Sequence, residues 1–328
     1  MRVLIVKLSS LGDVIQTMPV IEDMKACLPG VTIDWVVEEA FADLLNHVQG
    51  LARVIPCGER RWRKSRFQRE TRQEWAQFWQ TLRDVPYDAV IDFQGLIKSA
   101  RIARGARLTP NGFTVTYANK SDLCAYEWPV KWLLQKSVTM EKKIHAVARY
   151  RALAARALNY ESVGVLQRMP TYPLAVAPHE LRKGVMFAHG TTRLDNEWPF
   201  ESWVQLGKRL IQQGESVLLP QANSIEADLV QQMANVLGDH AHVLPRMKLS
   251  DVLHNMANCR AVVSVDSGLG HLAVALNLPV VQLFSQPRIE RAGPVGASHQ
   301  CAVGGDHVPS VDEAWNAYLT CLAADTQR

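Results

Sequence analysis

Short stretches of β-favouring, largely apolar residues alternate along this chain with longer stretches in which apolar residues recur every three or four positions. The runs at 2–7, 32–37, 53–56, 89–92 and 111–117 predict strands in the first half. Those at 184–188, 216–220, 241–244, 261–264 and 280–284 predict strands in the second. An uninterrupted run such as Val3-Leu4-Ile5-Val6 suits a strand covered on both faces, as in parallel sheets. Helical spacing covers 14–27 (Val14, Ile15, Met18, Ile21, Met24), 73–82, 100–107, 145–158, 200–213, 226–236, 251–257 and 269–276, with a last amphipathic helix at 311–323. Residues 118–129 read as irregular. The alternation predicts an α/β protein of two Rossmann-like, doubly wound parallel-sheet domains facing across a cleft. The connection at 164–183, with three prolines, marks the boundary. The domains are then 1–165 and 166–328, the last helix being free to pack back on the first.

The polar turns between these elements hold the candidate chemistry. At 261–285 a strand runs into Asp266-Ser267-Gly268, then a helix, then a second strand. Ser267 and Gly268 place backbone N–H groups at a helix N-terminus, which suits a phosphate oxygen. Asp266 either caps those groups or accepts from ligand hydroxyls, and His271 is either a core histidine or part of the same site. The turn after the first strand lacks G-x-G-x-x-G, which argues against a dehydrogenase-type dinucleotide site. It carries Asp13 instead. This carboxylate sits at the strand edge where α/β ligands bind, and it equally suits a helix N-terminus. The loop 189–199 offers Thr191, Thr192 and Arg193 after a strand, as a phosphate loop or as an ordinary βα loop.

Composition narrows the field. Apolar residues make up 48% of the chain and charged residues 21%, so it reads as globular, without a membrane span or a secretion signal. Six scattered cysteines with no CxxC pair read as reduced thiols and not as a disulfide framework or zinc site. Charge is unevenly placed: residues 1–165 hold 24 Lys and Arg against 17 Asp and Glu, residues 166–328 hold 12 against 15. The basic half implies an anionic partner. Its densest point is Arg60-Arg61-Trp62-Arg63-Lys64-Ser65-Arg66. With no acidic residue interspersed, the run favours anion binding over a solvated face, with Trp62 against a sugar or a membrane interface. It lacks the stacked aromatics of a nucleic-acid surface.

Six segments then carry a resemblance: MRVLIVKLSSLGDVIQTMP at the start, RRWRK at 60–64, DFQGLIKSA at 92–100, HGTTRLDNEWP at 189–199, LPRM at 244–247 and SVDSGLGHL at 264–272. In this order, and over essentially the whole chain, the sequence resembles the ADP-heptose:lipopolysaccharide heptosyltransferases of glycosyltransferase family 9. The resemblance implies a GT-B fold and an inverting, metal-independent transfer of heptose from ADP-heptose to the inner Kdo of a lipid A-bearing core, with no further cofactor. It implies Asp13 as general base. Thr191 and Thr192 would hold the donor phosphates, Glu226 the ribose and Met247 the adenine. Asp266, Ser267, Gly268 and His271 would hold the heptose and diphosphate. Arg60, Arg61, Trp62, Arg63, Lys64 and Glu127 fall on the acceptor side, facing Kdo carboxylates and lipid A phosphates. Two departures stand out. Asn196 replaces a donor-loop lysine, and Ala125-Tyr126-Glu127-Trp128 stands where the family reads Ala-Arg-Glu-Pro. A lipid acceptor and a basic first domain imply a cytoplasmic enzyme held peripherally on the anionic inner face of the membrane. Nothing in the sequence demands more than a monomer.

Overall fold

The computed structural model describes residues 1–65, 67–161, 164–176 and 182–326 of the chain. They form two compact units, Met1–Pro173 and Leu174–Arg328. The first holds β1 (Arg2–Val6), β2 (Thr32–Glu38), β3 (Leu51–Cys57), β4 (Tyr87–Asp92), β5 (Leu108–Tyr117) and β6 (Lys136–Val138). These pair in parallel in the order β3-β2-β1-β4-β5-β6. Helices α1 (Leu11–Thr17) and α2 (Pro19–Cys27) follow β1, and α3 (Glu39–Leu45) follows β2. Then α4 (Glu59–Ser65) and α5 (Arg69–Arg83) precede β4, and α6 (Ile97–Gly105) precedes β5. α7 (Val130–Leu133) precedes β6, and α8 (Ala146–Ala157) closes the series. Val3, Leu4, Ile5 and Val6 of the central β1 are fully buried, as their unbroken apolar run requires.

The second unit repeats the plan with β7 (Val185–Ala188), β8 (Val217–Leu219), β9 (Ala241–Val243), β10 (Ala261–Val265), β11 (Val280–Phe284) and β12 (Gln300–Gly304), parallel in the order β12-β11-β10-β7-β8-β9. Its helices are α9 (Phe200–Gln212), α10 (Ser224–Leu237), α11 (Leu249–Ala257), α12 (Gly268–Ala275), α13 (Ile289–Ala292) and α14 (Val311–Asp325). The last helix packs on β11, β12 and α9, so Ala314, Tyr318 and Cys321 join the core around Phe187, Trp203 and Val263.

Three differences from the sequence pattern have physical causes. The helix expected over 14–27 is two helices. Pro19 has no N–H to continue α1 and takes the first position of α2 instead. The edge strands β6 and β12, and the helices α3, α4, α7 and α13, are each seven residues or fewer, too short for periodicity to show them. The division between the units falls inside the 164–183 connection, of which 177–181 lie outside the described residues. Residues up to Pro173 are fastened to the first unit by name. Buried Arg151 donates to the carbonyls of Val165 (2.7 Å) and Arg168 (2.9 Å), and Gln49 N–H donates to Pro173 O at 2.7 Å. The same guanidinium grips Asp23 on α2 at 2.7 and 3.0 Å.

Candidate active site

In a doubly wound sheet the ligand crevice opens at the carboxyl ends of the strands, where the strand order reverses. That point lies between β1 and β4 in the first unit and between β7 and β10 in the second. The loops leaving those four strands hold Asp13, residues 93–96, the 189–199 loop and Asp266-Ser267.

In the first unit a chain of hydrogen bonds sets Asp13. Asp92, fully buried at the end of β4, accepts from the N–H groups of Gln94 (2.9 Å) and Gly95 (3.2 Å). The turn needs a glycine there, since Gly95 has φ +71°. Gln94 Oε1 in turn accepts from Leu8 N–H (3.1 Å) and Ser9 N–H (3.0 Å), fixing the loop after β1. At the head of α1, Asp13 Oδ2 accepts from Ser10 N–H and Oγ, both at 3.1 Å, while Oδ1 accepts from the Tyr150 hydroxyl at 2.7 Å. Buried Lys7 donates to Tyr150 Oη at 3.1 Å and lies 3.9 Å from Asp13 Oδ1. A partly exposed carboxylate so held has a fixed direction and can receive a proton.

Burial raises the Asp92 carboxyl from 3.8 to about 6, against the pull of its hydrogen bonds from Ser99, Gln94 and Gly95. A raised folded value favours the protonated form in the folded state. Its contribution to stability is therefore present below pH 3.8 and is lost as pH rises through about 6. Asp92→Asn is expected to gain roughly 3 kcal/mol on the wild type between pH 3.5 and pH 7. Denaturant unfolding of both proteins at the two pH values checks this, and a difference that does not move with pH would refute it.

The basic segment is not as the sequence suggests. Trp62 is buried, its ring 5.5 Å from Phe78 and its Nε1–H donating to Glu74 Oε2 at 2.8 Å. It belongs to the core, packed beneath the cationic face, where the sequence suggested an exposed ring. Arg61 pairs with Glu39 at 2.9 Å and Glu74 at 2.7 Å, so acidic partners from α3 and α5 relieve the run's self-repulsion. Arg60, Arg63 and Lys64 remain exposed, and Arg66 lies outside the described residues. Glu127 is exposed, its Oε2 accepting from Ile97 N–H at 2.6 Å at the start of α6. Tyr126 sends its hydroxyl to Ala118 O at 2.9 Å and is tied into the fold.

The second unit brings Asn196, Asp266, Ser267, Gly268 and His271 together. Ser267 caps α12, its Oγ accepting from Gly270 N–H at 3.4 Å, and Gly268 opens the helix. Asp266 Oδ2 accepts from Asn196 Nδ2 at 3.3 Å and from Arg288 Nε at 2.8 Å, and Oδ1 lies 3.8 Å from His271 Nε2. Thr191 is half-buried, with Oγ1 accepting from Arg193 N–H at 3.2 Å, and Thr192 is exposed. Glu226 lies beside the start of that loop: a Cβ on Gly190 would sit 3.0 Å from Glu226 Oε1, so a glycine permits the approach. Glu226 also accepts from Ala222 N–H (2.8 Å) and Asn223 Nδ2 (2.9 Å). Met247 is half-buried, its Sδ 3.5 Å from Asn255 Nδ2 of α11. His189, where the loop begins, is held below its usual value by burial, and its neutral ring donates Nε2–H to Pro220 O at 3.0 Å. Among the described residues no group of three His, Cys, Asp or Glu is placed to hold a metal ion.

Sequence reasoning misses Lys7, Tyr150 and Arg288 as members of these sites. Tyr150 lies on α8 and Arg288 just after β11, remote in sequence from the carboxylates they touch, and no local motif marks either. Arg149, beside Tyr150, is also missed. It is buried with its guanidinium carbon 3.5 Å above the Tyr117 ring.

Twin doubly wound units with their chemistry at the switch points are the build of a GT-B glycosyltransferase. Comparison with known proteins gives the family. Residues 75–314 match glycosyltransferase family 9 (heptosyltransferase). The chain is 39% identical over 321 residues to lipopolysaccharide heptosyltransferase 1 of Pseudomonas aeruginosa, covering 93% of this chain and 84% of the relative. It is 36% identical over 293 residues to that of Escherichia coli K12, covering 87% and 88%. The solved structure of E. coli heptosyltransferase WaaC with ADP superimposes with a TM-score of 0.83 at 33% identity, covering 100% of this chain and 98% of that one. The same enzyme with ADP-2-deoxy-2-fluoro heptose gives 0.81 at 34% identity, over 96% and 98%. The chain belongs to glycosyltransferase family 9, the heptosyltransferases.

Proposed function

We propose that this enzyme moves heptose from ADP-heptose to the inner Kdo of the lipopolysaccharide core with inversion at the anomeric carbon. The donor lies on the second unit: Thr191, Thr192, Ser267 and Gly268 toward the diphosphate, Glu226 and Met247 toward ribose and adenine, Asp266, Asn196 and His271 toward the sugar. The acceptor hydroxyl oxygen attacks C1, its proton passes to Asp13, and the C1–O bond breaks with its electron pair leaving on ADP. Arg60, Arg63 and Lys64 meet the acceptor's carboxylates and phosphates, and Glu127 sits on the same side. The observation that carries the reading is the Asp13 carboxylate at the first switch point, oriented from both sides by Ser10 and Tyr150. Transfer from ADP-heptose to Kdo₂-lipid A and to a single phosphorylated Kdo tests it. Turnover on neither, with ADP bound, would move the reading to another acceptor, such as a later core heptose, or to another sugar nucleotide. A monomer suffices for this chemistry, and it calls for no cofactor beyond the donor.

The same proposal places the enzyme on the cytoplasmic face of the inner membrane. No helix among the described residues is long and apolar enough to cross a membrane. The first unit offers another means of attachment. Trp128 and Trp132 are 65% and 66% exposed, their rings 4.9 Å apart, with Lys131 Nζ 4.9 Å above Trp132. Exposed tryptophans beside a cation suit an anionic headgroup layer. Vesicle sedimentation is expected to show binding that needs anionic lipid and falls as salt is raised. Trp128→Ala with Trp132→Ala should weaken it further, and binding indifferent to salt would sink this placement.

A further inference from the structure

The donor loops hold a cation that the sequence does not announce. Arg193 is closed on Asp195 by two hydrogen bonds of 3.0 and 2.6 Å, at an exposed position. Arg288 is different. Its side chain is 16% exposed and gives only Nε to Asp266, itself 8% exposed; among the described residues neither Nη makes a hydrogen bond. A guanidinium carries five N–H donors in a rigid fork, so four remain to be offered to a ligand. Asn196, 2% exposed, bonds the same Asp266 oxygen through Nδ2, and its buried Oδ1 has no partner. Directly beside them α12 begins, with Ser267 as cap. A fixed cation, an unfilled buried acceptor and a helix N-terminus thus meet at one carboxylate.

We propose that Arg288 supplies the fixed positive charge that binds the donor's diphosphate and stabilises it as ADP departs, while Asn196 Oδ1 accepts a hydroxyl of the sugar. This rests on the reading of the second unit as an ADP-heptose site. When the C1–O bond breaks, its electron pair settles on the β-phosphate oxygen, and the acceptor's proton goes to Asp13. ADP leaves with one more negative charge than it carried as an ester, so a charge-assisted fork strengthens during the step itself. Asp266 then has two duties. It brackets Arg288 through Nε, leaving the outer edge of the fork for phosphate, and it shares the sugar with Asn196. The charge comes from the loop after β11 and not from the loop after β7, where Asn196 has none to give.

Arg288→Gln keeps an N–H for Asp266 and removes the charge, so it remains informative if Arg288→Ala fails to fold. Steady-state transfer from ADP-heptose and calorimetric titration with ADP are the readouts. Arg288→Gln is expected to lower kcat/KM for the donor by about 10²–10³-fold, with a fall in kcat as well as a rise in KM, and to weaken ADP binding. Arg288→Lys should recover part of the loss. Asn196→Lys placed in the Arg288→Gln background should recover about tenfold or more, because it returns a cation to the same carboxylate from the other side. A purely structural arginine would not be rescued from position 196. Turnover of Arg288→Gln within about threefold of wild type, or a loss that Asn196→Lys leaves untouched, overturns the proposal while ADP still binds the wild type. A wild type that does not bind ADP overturns the reading of the site, and this proposal with it.

Discussion

Asp13→Ala is expected to lower kcat by about 10²–10⁴-fold, the range for loss of a positioned general base. The acceptor hydroxyl is a poor nucleophile until its proton has somewhere to go. Asp13 is the carboxylate at the first switch point, directed by the Tyr150 hydroxyl at 2.7 Å and by Ser10 at 3.1 Å. Asp13→Asn keeps the shape and an acceptor for Tyr150 but cannot take a proton, so it should fall as far as Asp13→Ala. ADP binding should survive in both, since the donor residues lie on the other unit. An Asp13→Asn protein with more than about a tenth of wild-type turnover would remove Asp13 from this role, and a parallel loss of ADP binding would point to misfolding.

The largest effect on stability is expected from Asp23→Ala. Asp23 and Arg151 are both buried and joined by two hydrogen bonds of 2.7 and 3.0 Å. Removing one partner leaves the other charge buried without compensation, at about 3–5 kcal/mol. For a unit of this size that corresponds to a fall in Tm of roughly 6–20 °C. Arg151 also holds the carbonyls of Val165 and Arg168, so the last stretch of the first unit should loosen with it. Pairing Asp23→Ala with Arg151→Met should recover part of the loss by removing the stranded charge. Calorimetric unfolding decides it: an Asp23→Ala protein within about 1 kcal/mol of wild type would show that the pair does not hold α8 to α2.

Much of the architecture is legible because buried parallel strands must be apolar on both faces. β1 and β7 stand out in the sequence as unbroken apolar runs, and β4, β10 and β11 as short runs that carry Asp88 and Asp92, Ser264 and Gln282 among apolar residues; their switch points follow from the strand–helix alternation. Asp266 is legible as a candidate for the same reason, since it follows β10 directly, and Asp13 because it stands in the first turn of the helix reached by the turn after β1. What stays hidden is carried by contacts across the fold. Trp62 looks like a surface aromatic among cations, but the residues that bury it, Phe78 and Glu74, lie on α5. Arg61 looks unpaired because Glu39 and Glu74 are distant along the chain. Tyr150 and Arg288 come to their carboxylates only when α8 and the loop after β11 are in place. The edge strands β6 and β12 are only three and five residues long, so periodicity passes over them.

The mooring of α4 has a consequence for selectivity among anions. Arg61, Trp62 and Ser65 share one side of the helix, fixed by Glu39, Glu74, Phe78 and Thr71. Arg60, Arg63 and Lys64 share the opposite side, at helical neighbours spaced about 5–6 Å between Cβ atoms. Folding has therefore already set the interval between the Cβ atoms from which three positive side chains extend. The row works as a ruler: two negative groups on one ligand are matched to it only when their separation on that ligand suits the interval. A flexible basic tail would follow any polyanion. On the proposed reading of this face as the acceptor side, the row favours ligands whose negative groups suit that interval, and its ordered backbone spares a matching ligand part of the conformational cost of binding.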